Sequence, residues 1–378
     1  MRIIATGGGT GGHVYPALSI ISALRKRLDE QTGEHLEVLY VGSEGGLEEG
    51  IVTRAGLAFR SVPSGAVVGR SPVKIVGNLA RTVAGMVASV LVIRSFGPQA
   101  VLATGGYVCV PVVLGAWLSR VPSLIFLPDM APGVAVRFLA QFASRLAVSF
   151  QEARRQLPAE KTVATGYPVR PDLFSVDREK ARAQLDLSAD LPVVLVLGGS
   201  RGAHSINVAV SEALPALLPK CQIVHVAGPG GEEELREKAA GLPEELRGRY
   251  RLHAYLHEEL PSALGAADVV VSRAGASVMG EYPAVGAASI LIPYPYAGAH
   301  QRLNAQQLVE KGAALQIDDA QLGTGILEET VLGLLNDPER LARMREAARQ
   351  LAQPGASAAI GDILRQLAYQ GSLVGNQR

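Results

Sequence analysis

Cysteine is scarce: the 378-residue chain has two, Cys109 and Cys221. Two thiols cannot build a disulfide scaffold or a Cys-based zinc site, and they suit a reducing compartment. Net charge is also nearly absent, at +1, which argues against a whole-chain nucleic-acid binder. The N-terminus, MRIIATGGGTGGH, has no apolar segment followed by a cleavage site, so no secretory leader is expected. Acidic residues are missing altogether between Glu49 and Asp129, a stretch that carries Arg54, Arg60, Arg70, Lys74, Arg81, Arg94 and Arg120. The rest of the chain is therefore net acidic. What is abundant is apolar residues (48%) and glycine (42 residues), enough for sizeable cores joined by tight turns.

Inside the acid-free stretch lies an apolar run, Val83–Ile93, that ends at Arg94. The run is shorter than the roughly 20 residues a bilayer span needs. It reads either as a buried core helix or as a membrane-surface patch, with apolar side chains dipping in while Arg and Lys meet anionic headgroups. The uncharged stretch Ser95–Ser119 is broken by Gly97-Pro98, Gly105-Gly106 and Pro111, and reads as strand, loop and helix start.

One unit occurs twice. Arg2–Thr6 reads as a strand, Gly7–Gly12 as a glycine loop, and about Tyr15–Leu28 as a helix, followed by short apolar strands at Val38–Val41, Ala100–Ala103, Ser123–Leu127 and Leu146–Ser149. Strands apolar on both faces belong to a parallel sheet covered by helices. The pattern resets at GYPVRPD, Gly166–Asp172. A second strand, Pro192–Leu197, opens onto Gly198–Ala203 and a helix from about Ser205, with strands at Gln222–Val226, Arg251–Tyr255, Asp268–Val271 and Ser289–Ile292. Two helices, about Pro338–Leu351 and Ala356–Tyr369, close the chain, and a frayed tail is expected after Gly371. The fold class is therefore α/β, with two Rossmann-like doubly wound domains facing a cleft.

The glycine loops narrow the ligand. Gly7, Gly9 and Gly12 satisfy the dinucleotide GxGxxG pattern, but that fingerprint needs an acid about 20 residues on. Here the second strand ends at Gly42-Ser43-Glu44, too far along for that acid, and His13 follows the loop at once. A bare backbone at a helix N-terminus instead lets an anionic or sugar group approach closely, with His13 in reach; the alternative is a tight turn and nothing more. In the second half, Arg273-Ala274-Gly275-Ala276-Ser277 follows a strand and opens a helix whose free N–H groups can hold a diphosphate, while Glu281 can accept both hydroxyls of a ribose. His300 and Gln301 open another helix after the loop Pro293–Ala299 and can meet sugar hydroxyls, or cap the helix.

GGGTGGHVYPAL, TGGYV, GYPVRPD, GGSRGAHSIN, SRAGAS with its following Glu281, and HQ..NA stand in the order and spacing of the MurG family, which the chain resembles from about Arg2 to Gln353. The resemblance implies the GT-B fold, with an acceptor and membrane-facing domain over 1–165, a donor domain over 166–353, and a helix over about 354–370 that packs back on the first. It implies an inverting glycosyltransferase that moves N-acetylglucosamine from UDP-N-acetylglucosamine to the 4-hydroxyl of an undecaprenyl-diphosphate-linked muramyl-pentapeptide, lipid I to lipid II. It implies peripheral binding at the anionic cytoplasmic face of the cell membrane, other cell-wall enzymes as partners, and no nucleic acid. For the donor it implies Thr10, Gly11 and Gly12 over the sugar, and Arg170, Ser200, Arg201, Gly202, Asn207, Arg273, Ala276 and Ser277 around the diphosphate pocket. Leu256 would meet the uracil, Glu281 the ribose, and His300 and Gln301 the sugar hydroxyls. Arg201 stands where the family commonly has Gln. His13 and Tyr107 would meet the acceptor.

One departure concerns chemistry. Where the family has His-Glu-Gln-Asn before a Pro-Gly pair, this chain has Phe126-Leu127-Pro128-Asp129 before Pro132-Gly133. A transferase needs a base for the attacking hydroxyl and stabilisation of charge on the leaving diphosphate. His13 and Asp129 are the two candidate bases; Asp129 either replaces the missing pair or caps the helix around Val134–Leu139. Helix N-termini with serine and arginine supply the second need. The glycine-rich loops hold no Asp-x-Asp motif or His/Cys cluster, so no cofactor is expected to be obligatory, with a divalent cation at most stimulatory. The departure also keeps two alternatives open: a transferase for another glycolipid acceptor, and an inactive UDP-sugar-binding scaffold.

Overall fold

The computed structural model describes residues 1–65, 72–199, 202–296 and 300–375, with 72–76 and 371–375 described by backbone alone. Ser200, Arg201 and part of the loop before His300 lie outside the described residues. The chain divides into two compact units: Met1–Arg170 together with the segment from Pro354 onward, and Pro171–Gln353.

The first unit is a parallel sheet of β1 (Arg2–Thr6), β2 (Glu37–Ser43), β3 (Ala58–Val62), β4 (Ala100–Ala103), β5 (Ser123–Leu127), β6 (Arg145–Val148) and β7 (Thr162–Ala164), in the order β3-β2-β1-β4-β5-β6-β7. Helices α1 (Gly11–Gln31), α2 (Glu48–Arg54), α3 (Pro72–Phe96), α4 (Cys109–Leu118), α5 (Val134–Leu139) and α6 (Gln151–Arg154) connect them. Strand order reverses between β1 and β4, which is where such sheets open a crevice at their C-terminal edge. Ile4, Val101, Val108 and Val112 form one core and Ile125, Leu127, Leu146 and Val148 another. The C-terminal helix, Ala356–Gly375, lies against α1, with Arg27 paired to Asp362 at 2.7 Å. It runs through Gly371 without the expected break.

α1 begins at Gly11, a full turn before the expected start near Tyr15. Pro16 sits inside the helix and removes the N–H that would reach the Gly12 carbonyl. The Tyr167 hydroxyl donates to that carbonyl instead, at 3.4 Å.

α3 departs from the core-helix reading of the apolar run. It spans 25 residues, and its part from Gly77 to Phe96 is long and apolar enough to cross a membrane. Its buried face is small and polar: Thr82, Gly85 and Ser89, with Ile93 the apolar exception. A Cβ on Gly115 of α4 would stand 2.9 Å from the Ser89 Cβ, so the two helices approach closely. Leu79, Val83, Val87 and Leu91 recur every four residues on the outer face, each at least half exposed. The usual amphipathic arrangement is inverted.

The second unit has α7 (Arg178–Gln184) and the strands β8 (Val193–Leu197), β9 (Gln222–Val226), β10 (Tyr250–His253), β11 (Val269–Ser272), β12 (Ala288–Leu291) and β13 (Ala314–Gln316), all parallel, in the order β10-β9-β8-β11-β12-β13. Its other helices are α8 (His204–Leu217), α9 (Glu232–Ala240), α10 (Glu244–Arg247), α11 (Leu260–Ala266), α12 (Val278–Val285), α13 (His300–Glu310), α14 (Ile326–Leu335) and α15 (Pro338–Gln350). Val194, Val196, Ile206, Val269, Val271 and Ile290 centre its core. The order again reverses between the first strand and the fourth, β8 and β11.

Candidate active site

In the first unit, the loops after β1, β4 and β5 leave adjacent strands at the switch-point edge, and they carry His13, Tyr107 and Asp129 respectively. Thr10 is the N-cap of α1 in extended conformation and makes no side-chain cap, so the first turn, Gly11, Gly12 and His13, presents bare backbone. No acidic side chain occupies that turn.

Two loops are stitched together here. Gly8 N–H donates to the Gly105 carbonyl at 3.1 Å, and the Thr104 hydroxyl donates to the His13 carbonyl at 2.7 Å. The Cys109 thiol donates to the Gly105 carbonyl at 2.9 Å; burial pushes this thiol up to about 12, so it stays protonated and inert. Gly106 holds φ at +87°, and a Cβ there would stand 2.4 Å from the Gly8 carbonyl oxygen. Only glycine permits both the conformation and the approach.

His13 Nδ1 lies 2.9 Å from the Gly8 carbonyl oxygen. A carbonyl only accepts, so Nδ1 carries a proton, and in the neutral ring the lone pair is therefore at Nε2. Tyr107 is half exposed at the tip of the loop after β4. Asp129 is partly exposed beyond β5, and Gly133 holds the N-cap position of α5. Phe126 and Leu127, at the positions of the departure, are buried in β5, with Phe126 edge-on to Tyr167 at 5.8 Å. Apolar packing therefore occupies both positions. Arg170 belongs to the first unit, its guanidinium over the Tyr15 ring at 5.4 Å.

In the second unit the loops after β8, β11, β12 and β13 meet around Arg273. Its guanidinium pairs with Asp319 and donates to the Ser205 hydroxyl at 2.7 Å and the Ile292 carbonyl at 3.2 Å, beneath the Tyr294 ring. One side chain thus ties four loops. Ala276 and Ser277 precede α12 in a tight entry in which Met279 N–H returns to the Ala276 carbonyl at 3.2 Å. Glu281 is the fourth residue of α12 and partly exposed. Gly202 holds φ at +73°, and a Cβ there would stand 2.6 Å from the Ala227 carbonyl oxygen.

The other expected donor residues differ in freedom. Asn207 is buried, donating to the Ala227 carbonyl at 3.0 Å and accepting from His225 Nε2 at 3.1 Å. The Gln301 side chain accepts from Tyr294 N–H at 2.8 Å, closing the loop before α13, and Asn304 donates to the Ala274 carbonyl. His300 opens α13, its Nδ1 buried without a hydrogen-bond partner among the described residues. Leu256 is buried beyond β10. Glu48 and Asp319 were missed, and nothing local marks them; only β2 and β13 folding beside the loops brings them in. Thr104 and Ser205 stand inside the motifs TGGYV and GGSRGAHSIN but were not singled out.

The model of the glycosyltransferase family 28 N-terminal domain matches residues 3–148, and that of the C-terminal domain matches 193–360. A UDP-N-acetylglucosamine–N-acetylmuramyl-(pentapeptide) pyrophosphoryl-undecaprenol N-acetylglucosamine transferase from Roseiflexus sp. (strain RS-1) is 43% identical, covering 97% of this chain and 95% of that one. A relative of the same name from Desulforudis audaxviator is 42% identical over 98% of this chain and all of its own. The crystal structure of Acinetobacter baumannii MurG superposes with a TM-score of 0.72 at 25% identity, over 97% of this chain and 99% of that one. Two parallel sheets wound by helices, with these neighbours, establish the α/β GT-B fold class expected from the sequence. The chain belongs to glycosyltransferase family 28 and, within it, to the MurG family of N-acetylglucosamine transferases.

Proposed function

We propose that this protein transfers N-acetylglucosamine from UDP-N-acetylglucosamine to the 4-hydroxyl of an undecaprenyl-diphosphate-linked N-acetylmuramyl-pentapeptide, with inversion at the anomeric carbon. The observation that carries the substrate assignment is identity of 43% over 97% of the chain to a relative whose name states this donor and this lipid-linked acceptor.

The second unit binds the donor. The entry to α12 at Ala276 and Ser277 offers backbone N–H groups to the diphosphate, and Glu281 takes the ribose; Ser200, Arg201 and Gly202 join the donor site by the family resemblance. Leu256 presents its backbone to the uracil. Arg273 holds the four loops in register, so its part is to shape the pocket. His300 and Gln301 face the sugar hydroxyls, with Asn207 tying α8 to the end of β9.

The first unit binds the acceptor and supplies the base. Thr10, Gly11 and Gly12 open onto the sugar, and Tyr107 and Asp129 contact the acceptor. With Nδ1–H held by Gly8, the neutral His13 imidazole presents its lone pair at Nε2, which accepts the proton of the attacking hydroxyl as that oxygen bonds to the anomeric carbon and UDP departs. Helix N-termini take up the charge growing on the leaving diphosphate.

The exposed apolar stripe of α3 supports docking of the first unit on a lipid surface. Leu79, Val83, Val87 and Leu91 enter the headgroup boundary, while the basic side chains of the acid-free stretch meet anionic lipids at the cytoplasmic face.

Turnover of labelled UDP-N-acetylglucosamine with a soluble lipid I analogue tests the reading. A β(1→4)-linked disaccharide is expected. Donor binding without product on this acceptor would instead support the scaffold, and transfer to a different glycolipid the other transferase.

A further inference from the structure

Glu48 is fully buried at the start of α2, yet its carboxylate reaches the glycine loop of a different strand. Oε1 accepts from the Ser43 N–H and hydroxyl, each at 2.7 Å, and Oε2 accepts from Gly9 N–H at 3.2 Å. The approach depends on missing side chains: a Cβ on Gly8, Gly42 or Gly46 would stand 2.4–2.7 Å from Glu48 atoms. Burying a carboxylate among N–H and hydroxyl donors is costly, and a fold that needed only packing would be served better by an apolar residue.

The Gly9 N–H that Glu48 holds and the Gly8 carbonyl that His13 Nδ1 meets belong to the same peptide group. A negative charge at the N–H end of a peptide pushes electron density toward its oxygen and makes that oxygen a stronger acceptor. The series runs from carboxylate to peptide N–H, from peptide oxygen to imidazole Nδ1–H, and ends at the free Nε2. It performs the task of an acid hydrogen-bonded directly to a catalytic histidine, with one peptide plane interposed.

We propose that Glu48 is a positioning residue for His13, acting through the Gly8–Gly9 peptide to fix the Nδ1–H tautomer and strengthen Nε2 as a proton acceptor. This deepens the reading of His13 as the base and rests on it.

Glu48→Gln keeps the shape and removes the charge. We expect kcat to fall about tenfold, a fraction of the 10²–10⁴ that a general base supplies, with donor KM within about twofold of wild type. Nitrogen-15 NMR of histidine-labelled protein is expected to show His13 protonated at Nδ1 in the wild type and a mixture of tautomers in Glu48→Gln. Ser43→Ala, which loosens one anchor of the carboxylate but leaves its charge, shifts kcat and the tautomer ratio in the same direction by less. It serves as the test should Glu48→Gln not fold. An unchanged tautomer, whether kcat is retained or falls together with donor affinity and Tm, overturns the proposal. The tautomer is read without turnover, so a His13→Ala enzyme with full activity sinks the base assignment separately.

Discussion

A methyl group on Gly105 would stand 2.5 Å from Cδ2 of His13, so the imidazole rests directly on the backbone of the loop after β4. Gly105 also holds φ at +119°, a conformation that L side chains rarely adopt. Gly105→Ala therefore both strains the loop and pushes the ring off the Gly8 carbonyl. We expect kcat to fall by about 10²-fold, the scale of misplacing a reacting group by an ångström, with donor KM nearly constant, in steady-state kinetics.

Arg273 and Asp319 form an ion pair whose side chains are 12% and 22% exposed. Asp319→Ala strands the guanidinium between Ser205 and the Ile292 carbonyl. The expected loss is about 3 kcal/mol, toward the lower end for a broken buried pair because water reaches part of it, together with a raised donor KM. Urea denaturation and donor titration check the two effects.

His225 is buried between the Asn207 amide and the Tyr250 hydroxyl, and one neutral tautomer satisfies both: Nε2–H donates to Asn207 and Nδ1 accepts from Tyr250. Burial lowers its pKa from 6.5 to about 4. The folded protein therefore binds fewer protons than the unfolded chain between these values. The stabilisation is whole above pH 6.5 and is lost as pH falls toward 4, by up to about 3 kcal/mol. His225→Gln is expected to be less stable at neutral pH but to show a flatter decline over that window, measured by denaturant unfolding at stepped pH.

The outer stripe of α3 predicts a membrane phenotype without a folding one. Leu79, Val83, Val87 and Leu91 are exposed, so exchanging all four for Gln leaves Tm within a few degrees while weakening sedimentation with anionic vesicles. Replacing Lys74, Arg81 and Arg94 by Glu weakens it too, more so at low salt. Arg81 lies 3.5 Å from Glu44, so its loss also frees that acid at the surface. Unchanged sedimentation of both variants would remove the lipid-docking role.

The sequence was most legible where local chemistry decides. The strands Ser123–Leu127 and Gln222–Val226 stand where the apolar runs place them, because a strand covered on both faces needs little else. Short strands, such as Ala58–Val62 and Thr162–Ala164, were passed over because sheet pairing, not a sustained apolar run, creates them. The start of α1 was misread because Pro16 is tolerated only through Tyr167, which lies 151 residues on. At the site, His13 was singled out by its glycine loop, Tyr107 by the family resemblance, and Asp129 by the departure from the family motif. Glu48 was not, since its meaning comes from β2 lying beside β1. The inverted face of α3 was half legible: composition marked the run as apolar, but only packing against α4 decides which side is hidden.

The most direct measurement is steady-state turnover of UDP-N-acetylglucosamine and a lipid I analogue by the wild type and His13→Ala. The account predicts disaccharide product from the wild type, and a kcat about 10²–10⁴-fold lower in the variant with donor KM little changed. Wild-type turnover by His13→Ala, or no transfer to this acceptor by either protein, would contradict it.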